Sequence, residues 1–337
     1  MRLPPRIPGL AALLLAAAAA APAAAPRHDL FACVNLRAHQ VMGNTRVPVK
    51  SGLYVSSDRE TFTHTGHPHI RVFTVAPDPV DRSTVWVALL DGVVRARERG
   101  ATWRTMTGWE MQEPRAIVFD PGDPERIYAG LPDGIAVSGD RGQTWRRMNE
   151  GIRRAYTETL TVDRTRPGRL LAGTELGIYL SEDGARSWRL VQTTDKVTYD
   201  LQQSPHDPAQ FFAVTSADGA LRSDDGGRTW QRVPGVPAAQ TLHACTYDPA
   251  TPGRLAYCGW GAGVQVSEDG GRTWTDRTAG LPNRDIWTVR ADPDFPARLY
   301  AAPYYQPLHV SDDFGRTWRP AAFGEAVVYD IVFIPRA

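Results

Sequence analysis

One eight-residue pattern, Ser-x-Asp-x-Gly-x-Thr-Trp, returns along this chain at nearly constant spacing and leaves few folds open to it. Intact copies are SGDRGQTW from Ser138, SDDGGRTW from Ser223, SEDGGRTW from Ser267 and SDDFGRTW from Ser311. ARERGATW from Ala96 and SEDGARSW from Ser181 are imperfect, and SSDRETF from Ser56 has lost both the glycine and the tryptophan. The starts at 56, 96, 138, 181, 223, 267 and 311 are separated by 40, 42, 43, 42, 44 and 44 residues. A fixed period of this size belongs to repeat architectures, in which one supersecondary unit buries its apolar face against the next.

The pattern reads locally as a turn between two strands. Ser and Asp oxygens accept hydrogen bonds from turn N–H groups, Gly supplies a positive φ, and Thr-Trp opens the next strand with β-favouring residues. Six tryptophans fall in these boxes, Trp103, Trp145, Trp188, Trp230, Trp274 and Trp318, and are expected to be structural. Ahead of each box, two strand-like runs are joined by an Asp-Pro turn, as in AIVFDPGDPERIYAG from Ala116, HACTYDPATPGRLAYCG from His243 and TVRADPDFPARLYAA from Thr288. Four short strands per repeat describe an all-β chain, a seven-bladed β-propeller of four-stranded antiparallel blades. The ends predict how it closes. Phe31 to Ala38 begins as a second strand without a first, and AVVYDIVFIP from Ala326 is a first strand without successors. Joining them makes blade one from residues 31 to 65 and 326 to 334 and removes the free sheet edges.

Composition narrows the function classes. The 38 Lys+Arg and 37 Asp+Glu are spread along the chain, so no concentrated basic face is expected and nucleic acid is an unlikely partner. Residues 1–25 read as a cleaved signal peptide, with Arg2 and Arg6 ahead of the apolar run Gly9 to Ala21 and small residues up to Ala25. Export to the periplasm or medium is expected. Leu30-Phe31-Ala32-Cys33 faintly resembles a lipobox, but Arg27, His28 and Asp29 interrupt the apolar run, so lipidation is not expected. Beyond residue 25 no run approaches the roughly 18 apolar residues of a membrane span. Residues 26–337 are read as one propeller domain, acting as a monomer.

The boxes resemble those of the Asp-box, or BNR-repeat, propellers. That superfamily includes sialidases, xyloglucan-cleaving glycosidases, the sortilin luminal domain and the photosystem II assembly-factor propellers. The resemblance covers nearly all of the chain after residue 25 and is specific for fold rather than function. Single-domain length, even repeats and an export signal look most like the non-catalytic, assembly-factor-like group. Membership would imply a binding or scaffold role with a protein or glycan partner; the alternative is a glycoside hydrolase, sialidase-like or other.

Catalytic groups are hard to place. A sialidase resemblance would require an Arg-Ile-Pro element near the start, and the only one is Arg6-Ile7-Pro8, within the signal peptide. Other glycosidases need two carboxylates flanking a cleft. Asp91, Asp133 and Asp218 each precede Gly between second and third strands, where Asp-Gly is turn chemistry. The xyloglucan-type enzymes also work with two propellers in tandem, and this chain has one. His64, His67 and His69 lie in HTGHPH without a Cys or carboxylate at ligand spacing, and read as a solvated loop rather than a metal site. Phosphate-loop and nucleophile-elbow motifs are missing, and no cofactor is expected.

Two further expectations concern named residues. Pairing Asp248 with Leu255 would set Cys245 opposite Cys258; export permits a disulfide there, the other reading being two reduced, buried thiols, with Cys33 unpaired in both. Counting six residues back from the proline of each turn, or its equivalent, gives Arg71, Arg115, Glu158, Tyr199, His243, Trp287 and Tyr329. Two positions later stand Phe73, Ile117, Leu160, Leu201, Cys245, Val289 and Ile331, all apolar. The apolar column is expected between blades. The first column is expected to ring the mouth of the central channel as a binding surface, with Trp109, Arg284 and Tyr304 as rim contacts. The plainer alternative is that these residues cap the blades.

Overall fold

The computed structural model describes residues 25–37, 39–42, 45–48, 50–68, 71–194 and 196–336. The signal-peptide reading, but for residue 25, and His69 lie outside the described residues. Each box closes as its chemistry dictates. Ser138 Oγ donates to Asp140 Oδ1 (2.8 Å) and accepts the Gly142 N–H (2.7 Å), while Asp140 also accepts from the Thr144 amide (2.8 Å) and hydroxyl (2.6 Å). The same set recurs at Ser223, Asp225 and Thr229, and at Ser311, Asp313 and Thr317. The box glycine is left-handed, as at Gly142 (φ 76°), a region where an L side chain is strained. The tryptophan after the turn reaches the preceding blade: the indole N–H of Trp145 donates to Met106 O, that of Trp188 to Met148 O and that of Trp318 to Arg277 O.

These turns join the third and fourth strands of antiparallel sheets. Five sheets have four strands each, the first being Val72–Pro77, Val85–Leu89, Gly92–Arg97 and Thr102–Thr105. A sixth has seven strands, in the order Ile286–Ala291, Leu299–Pro303, Gln306–Ser311, Arg319–Pro335, His28–Leu36, Gly52–Ser56 and Thr63–Thr65. Its long strand, Arg319–Pro335, serves two neighbours. Residues 319 to 326 pair with Gln306–Ser311, and 326 to 335 pair with His28–Leu36, so the sheet divides there into two groups of four. The innermost strands touch in a closed cycle: Val72–Pro77, Ala116–Asp120, Thr157–Val162, Thr198–Gln203, Leu242–Tyr247, Ile286–Ala291, the C-terminal half of Arg319–Pro335, and back to the first. The chain is an all-β propeller whose C-terminal strand closes onto its N-terminal strand. A small hairpin, His39–Met42 with Thr45–Pro48, is an addition to blade one that the repeat did not announce.

The core lies between blades. Phe31 and Cys33 of blade one pack with Val75, Val85 and Val87 of blade two, and the same layering continues round the ring. Cys245 and Cys258 are buried and free, so the disulfide is not formed. Tyr247 pairs with Leu255, one residue short of the assumed register, which sets Cys245 opposite Tyr257 and Cys258 opposite Ala244. A one-residue slip places two side chains on opposite faces of a sheet. Cys245 accordingly packs with Phe212 of blade five, and Cys258 with Val289 of blade seven.

The box carboxylates make the fold acid-sensitive. Hydrogen bonds from the Thr144 hydroxyl and amide hold Asp140 at about 2, and amide donors of Thr61 and Glu60 hold Asp58 at about 2, both below an ordinary 3.8. A carboxylate with a depressed folded pKa contributes stability above its unfolded value and loses it as pH falls through the folded one. The melting temperature is therefore expected to hold above about pH 4 and drop between about pH 4 and 2. Asp140→Asn should be less stable at neutral pH and flatter across that window when followed by circular dichroism.

Candidate functional site

The residues at the channel mouth are placed by β-bulges. Register skips one residue in the innermost strand at Phe73, Glu158, Tyr199, His243 and Trp287, and at Tyr329 in the closing strand. A bulge leaves its extra residue outside the ladder and re-aims its side chain. All six line a central cavity of ≈ 360 Å³, joined by Arg115, whose amide bonds to Gly130 O at the start of its own strand.

Arg71 is not in that lining. Its guanidinium lies 3.7 Å from Glu113, and its side chain is half exposed. The equivalent turn in blade two is Asp78-Pro79, not the preceding Pro77. Asp78 Oδ1 accepts the amides of Val80 and Asp81, as Asp120 accepts Gly122 and Asp248 accepts Ala250. Six residues back from Pro79 is Phe73, which takes the ring position, and Val75 takes its place in the buried apolar column.

The ring has an aromatic half and a charged half. His243 stacks on Trp287 (centroids 4.7 Å, 18°) and tilts against Tyr199 (4.8 Å); Tyr329 stands edge-on to Trp287 (5.7 Å) and to Phe73 (5.9 Å). Trp260 was missed by the alignment and lies edge-on to His243, Trp287 and Tyr304, at 5.3, 6.0 and 4.9 Å. A signal for it existed: Gly259-Trp260-Gly261 puts a tryptophan in a turn where blades two, three and five carry Asp-Gly. On the other side, Arg115 covers the Phe73 ring at 4.4 Å and lies 3.8 Å from Glu113 and 3.9 Å from Glu158. The Tyr156 hydroxyl donates to Glu158 (2.7 Å).

Two features give the site its electrostatics. Burial pushes His243 down to about 4, against the opposing pull of Asp285, so the imidazole is neutral, and its buried Nε2 has no hydrogen-bond partner. Below the mouth, Arg290 spans blades, with Nη1 2.9 Å from Asp200 Oδ2 and Nη2 3.0 Å from Asp330 Oδ1. Thr74 also donates to Asp330 (2.7 Å). Burial outweighs Arg290 at Asp330 and holds its carboxyl above the ordinary value.

Of the rim residues, Tyr304 faces Trp287 at 6.1 Å, and Trp109 is 85% exposed on the loop between blades two and three. Arg284 is held by Asp276 (2.7 Å) and by the carbonyls of Gly261 and Ala262, where it braces the turn that carries Trp260. Asp133 and Asp218 pair with Arg147 and Arg232. His64 Nε2 lies 3.2 Å from Ser51 O, and His67 is exposed; among the described residues no three His, Cys, Asp or Glu side chains gather as metal ligands.

The BNR/Asp-box repeat family model matches residues 221–232, which hold the whole box from Ser223 to Trp230. The chain is a propeller that carries a BNR/Asp-box repeat. Among solved structures, this Asp-box propeller is similar to an ancestral GH74 enzyme, with a TM-score of 0.62 and 18% identity over 74% of this chain and 38% of that one. It is also similar to the Niastella koreensis GH74 enzyme (TM-score 0.63, 15% identity, 79% of this chain and 50% of that one). YCF48 bound to D1 peptide gives a TM-score of 0.56 and 19% identity over 74% of this chain and 81% of that one. The propeller thus spans half or less of the GH74 chains, and at these identities the likeness is one of fold. Comparison with curated proteins finds no match.

Proposed function

We propose that the Asp-box propeller is an exported, monomeric and non-catalytic binding protein, whose channel mouth takes a protein or glycan ligand. The observation that carries this is the convergence of seven ring positions on one cavity, with the rings of Tyr199, Trp287 and Tyr329 partly exposed. The carboxylates of the same cavity are engaged: Glu158 by Tyr156 and Arg115, and Asp200 and Asp330 by Arg290. Glycoside hydrolysis needs an acid and a second carboxylate facing each other across the substrate. Carboxylates held by guanidinium and phenol groups are better suited to shaping a surface. Export rests on the character of residues 1–25.

The test is to probe the protein on glycan and peptide arrays and repeat the hits with Trp287→Ala and Arg115→Ala. Each substitution is expected to weaken binding at least about tenfold, the size of one lost stacking or charged contact at a buried centre. Full affinity in both folded variants would move the site elsewhere. Reducing-sugar release from a bound glycan would replace the binding reading with the hydrolase one.

A further inference from the structure

The aromatic half of the mouth has a sign of charge as well as a shape. Trp260 stands at 81° to 87° to His243, Trp287 and Tyr304, and Tyr329 stands at 87° to Trp287; Trp260, Trp287, Tyr304 and Tyr329 are each partly exposed. An aromatic face carries the negative end of the ring quadrupole. Asp285 lies beside these rings: its Oδ1 accepts the Gly261 amide (2.9 Å), next to Trp260, and its carbonyl accepts the Tyr304 amide (2.8 Å). Its side chain is exposed and, among the described residues, in no ion pair.

The nearby cations do not offset it. Arg284 is matched by Asp276, and Arg290 faces two carboxylates, Asp200 and Asp330. His243 is neutral, and its imidazole, 8% exposed, keeps an unpartnered Nε2 in the lining of the cavity. At the outer edge Arg37, 3.9 Å from Glu325, lies 5.0 Å from the centroid of Tyr305, a ring that tilts against Tyr304 at 4.3 Å. Rings at right angles, an unmatched carboxylate and a buried neutral hydrogen-bonding group make a cradle for positive charge without a strongly hydrated shell. Methylated ammonium groups answer that description, since their charge is spread over apolar methyls and is drawn to ring faces.

We propose that Trp260, Trp287, Tyr304 and Tyr329, with Asp285 at the edge, form a recognition site for a methylated ammonium group on the ligand. The inference rests on reading the mouth as a binding site and names the chemistry it selects. The group can be the side chain of a methylated lysine or a free or lipid-borne choline; both present the same cation.

The experiment titrates the full chain with tetramethylammonium, choline and 3,3-dimethylbutan-1-ol, the neutral isostere of choline, following tryptophan fluorescence and calorimetry. Choline and tetramethylammonium are expected to saturate, with the neutral alcohol at least tenfold weaker. Trp260→Leu should weaken choline at least tenfold. Asp285→Asn, which keeps an acceptor for Gly261, should weaken it at least threefold and leave the fold intact. A trimethyl-lysine peptide binding more tightly than choline assigns the cation to a protein partner, and the reverse order assigns it to a choline-bearing molecule. Equal binding of choline and the alcohol, or no saturation by either cation, overturns the proposal. If array ligands still bind in a Trp287-dependent manner in that case, the mouth remains a binding site and only its cation selectivity falls.

Discussion

Replacing Arg59 with alanine is expected to lower stability by about 3 to 5 kcal/mol, the range for removing the cation from a buried ion pair. The side chain is 2% exposed. Its Nε lies 2.7 Å from Asp292 Oδ2 and its Nη2 3.1 Å from Asp294 Oδ2, while Nη1 donates to His28 O at 2.8 Å. Arg59 belongs to blade one and both aspartates to blade seven, the two groups of strands that share the long strand at the closure. Without the guanidinium, Asp292, fully buried, loses its ion-pair partner. Arg59 also occupies the fourth position of its box, where Arg141 stands in the box from Ser138, and like Arg141 it is left-handed, at φ 71°. Arg59→Gly, which relieves a left-handed conformation costing about 1 to 2 kcal/mol, should therefore be less destabilised than Arg59→Ala. Urea unfolding followed by fluorescence measures both. A loss below about 1 kcal/mol for Arg59→Ala would show that the pair is no stronger than an exposed one.

That box illustrates what was legible and what was not. Its Ser and Asp were readable as turn chemistry because the bonds are local: Ser56 Oγ accepts the Arg59 amide, and Asp58 accepts Glu60 and Thr61. The missing glycine looked like decay. In the structure Arg59, one position before it, reaches Asp292 more than two hundred residues along the chain, the counterpart of Arg141 on Asp78, and no local pattern announces such a contact. The closing strand was legible for the opposite reason, since an orphan first strand and an orphan second strand can satisfy their edges only by pairing.

The site was legible as a column and less so as a register. Bulges at the ring positions follow the turn aspartate, so the count works wherever the turn is identified correctly. In blade two prolines flank Asp78 on both sides, and the count from Pro77 reaches Arg71 where the count from Pro79 reaches Phe73. The cysteine pairing failed by a single residue in the same way, because turn length sets register and register sets the face. Trp260 and Asp285 lie outside the column, on turns whose approach to the channel depends on how neighbouring blades pack.

Arg290→Met is expected to cost about 3 to 5 kcal/mol near neutral pH, again the penalty for buried carboxylates without their cation. A part of this loss should vanish in acid. Asp330 already has its carboxyl held above 3.8 by burial, with Arg290 as the largest influence in the other direction. A raised carboxyl contributes stability that is fully present below the unfolded pKa and is lost as pH rises through the folded one. Removing Arg290 moves that folded value further up, so the neutral form is favoured over a wider range and ionisation becomes costlier. The difference between wild type and variant should thus be smallest near pH 4 and grow toward pH 8 in urea titrations. Asp330→Asn placed on the Arg290→Met background should recover part of the neutral-pH loss and flatten its pH dependence, because only the Asp200 carboxylate is then left without its cation. A loss that is the same at every pH would assign the role of Arg290 to packing across the channel rather than to its charge.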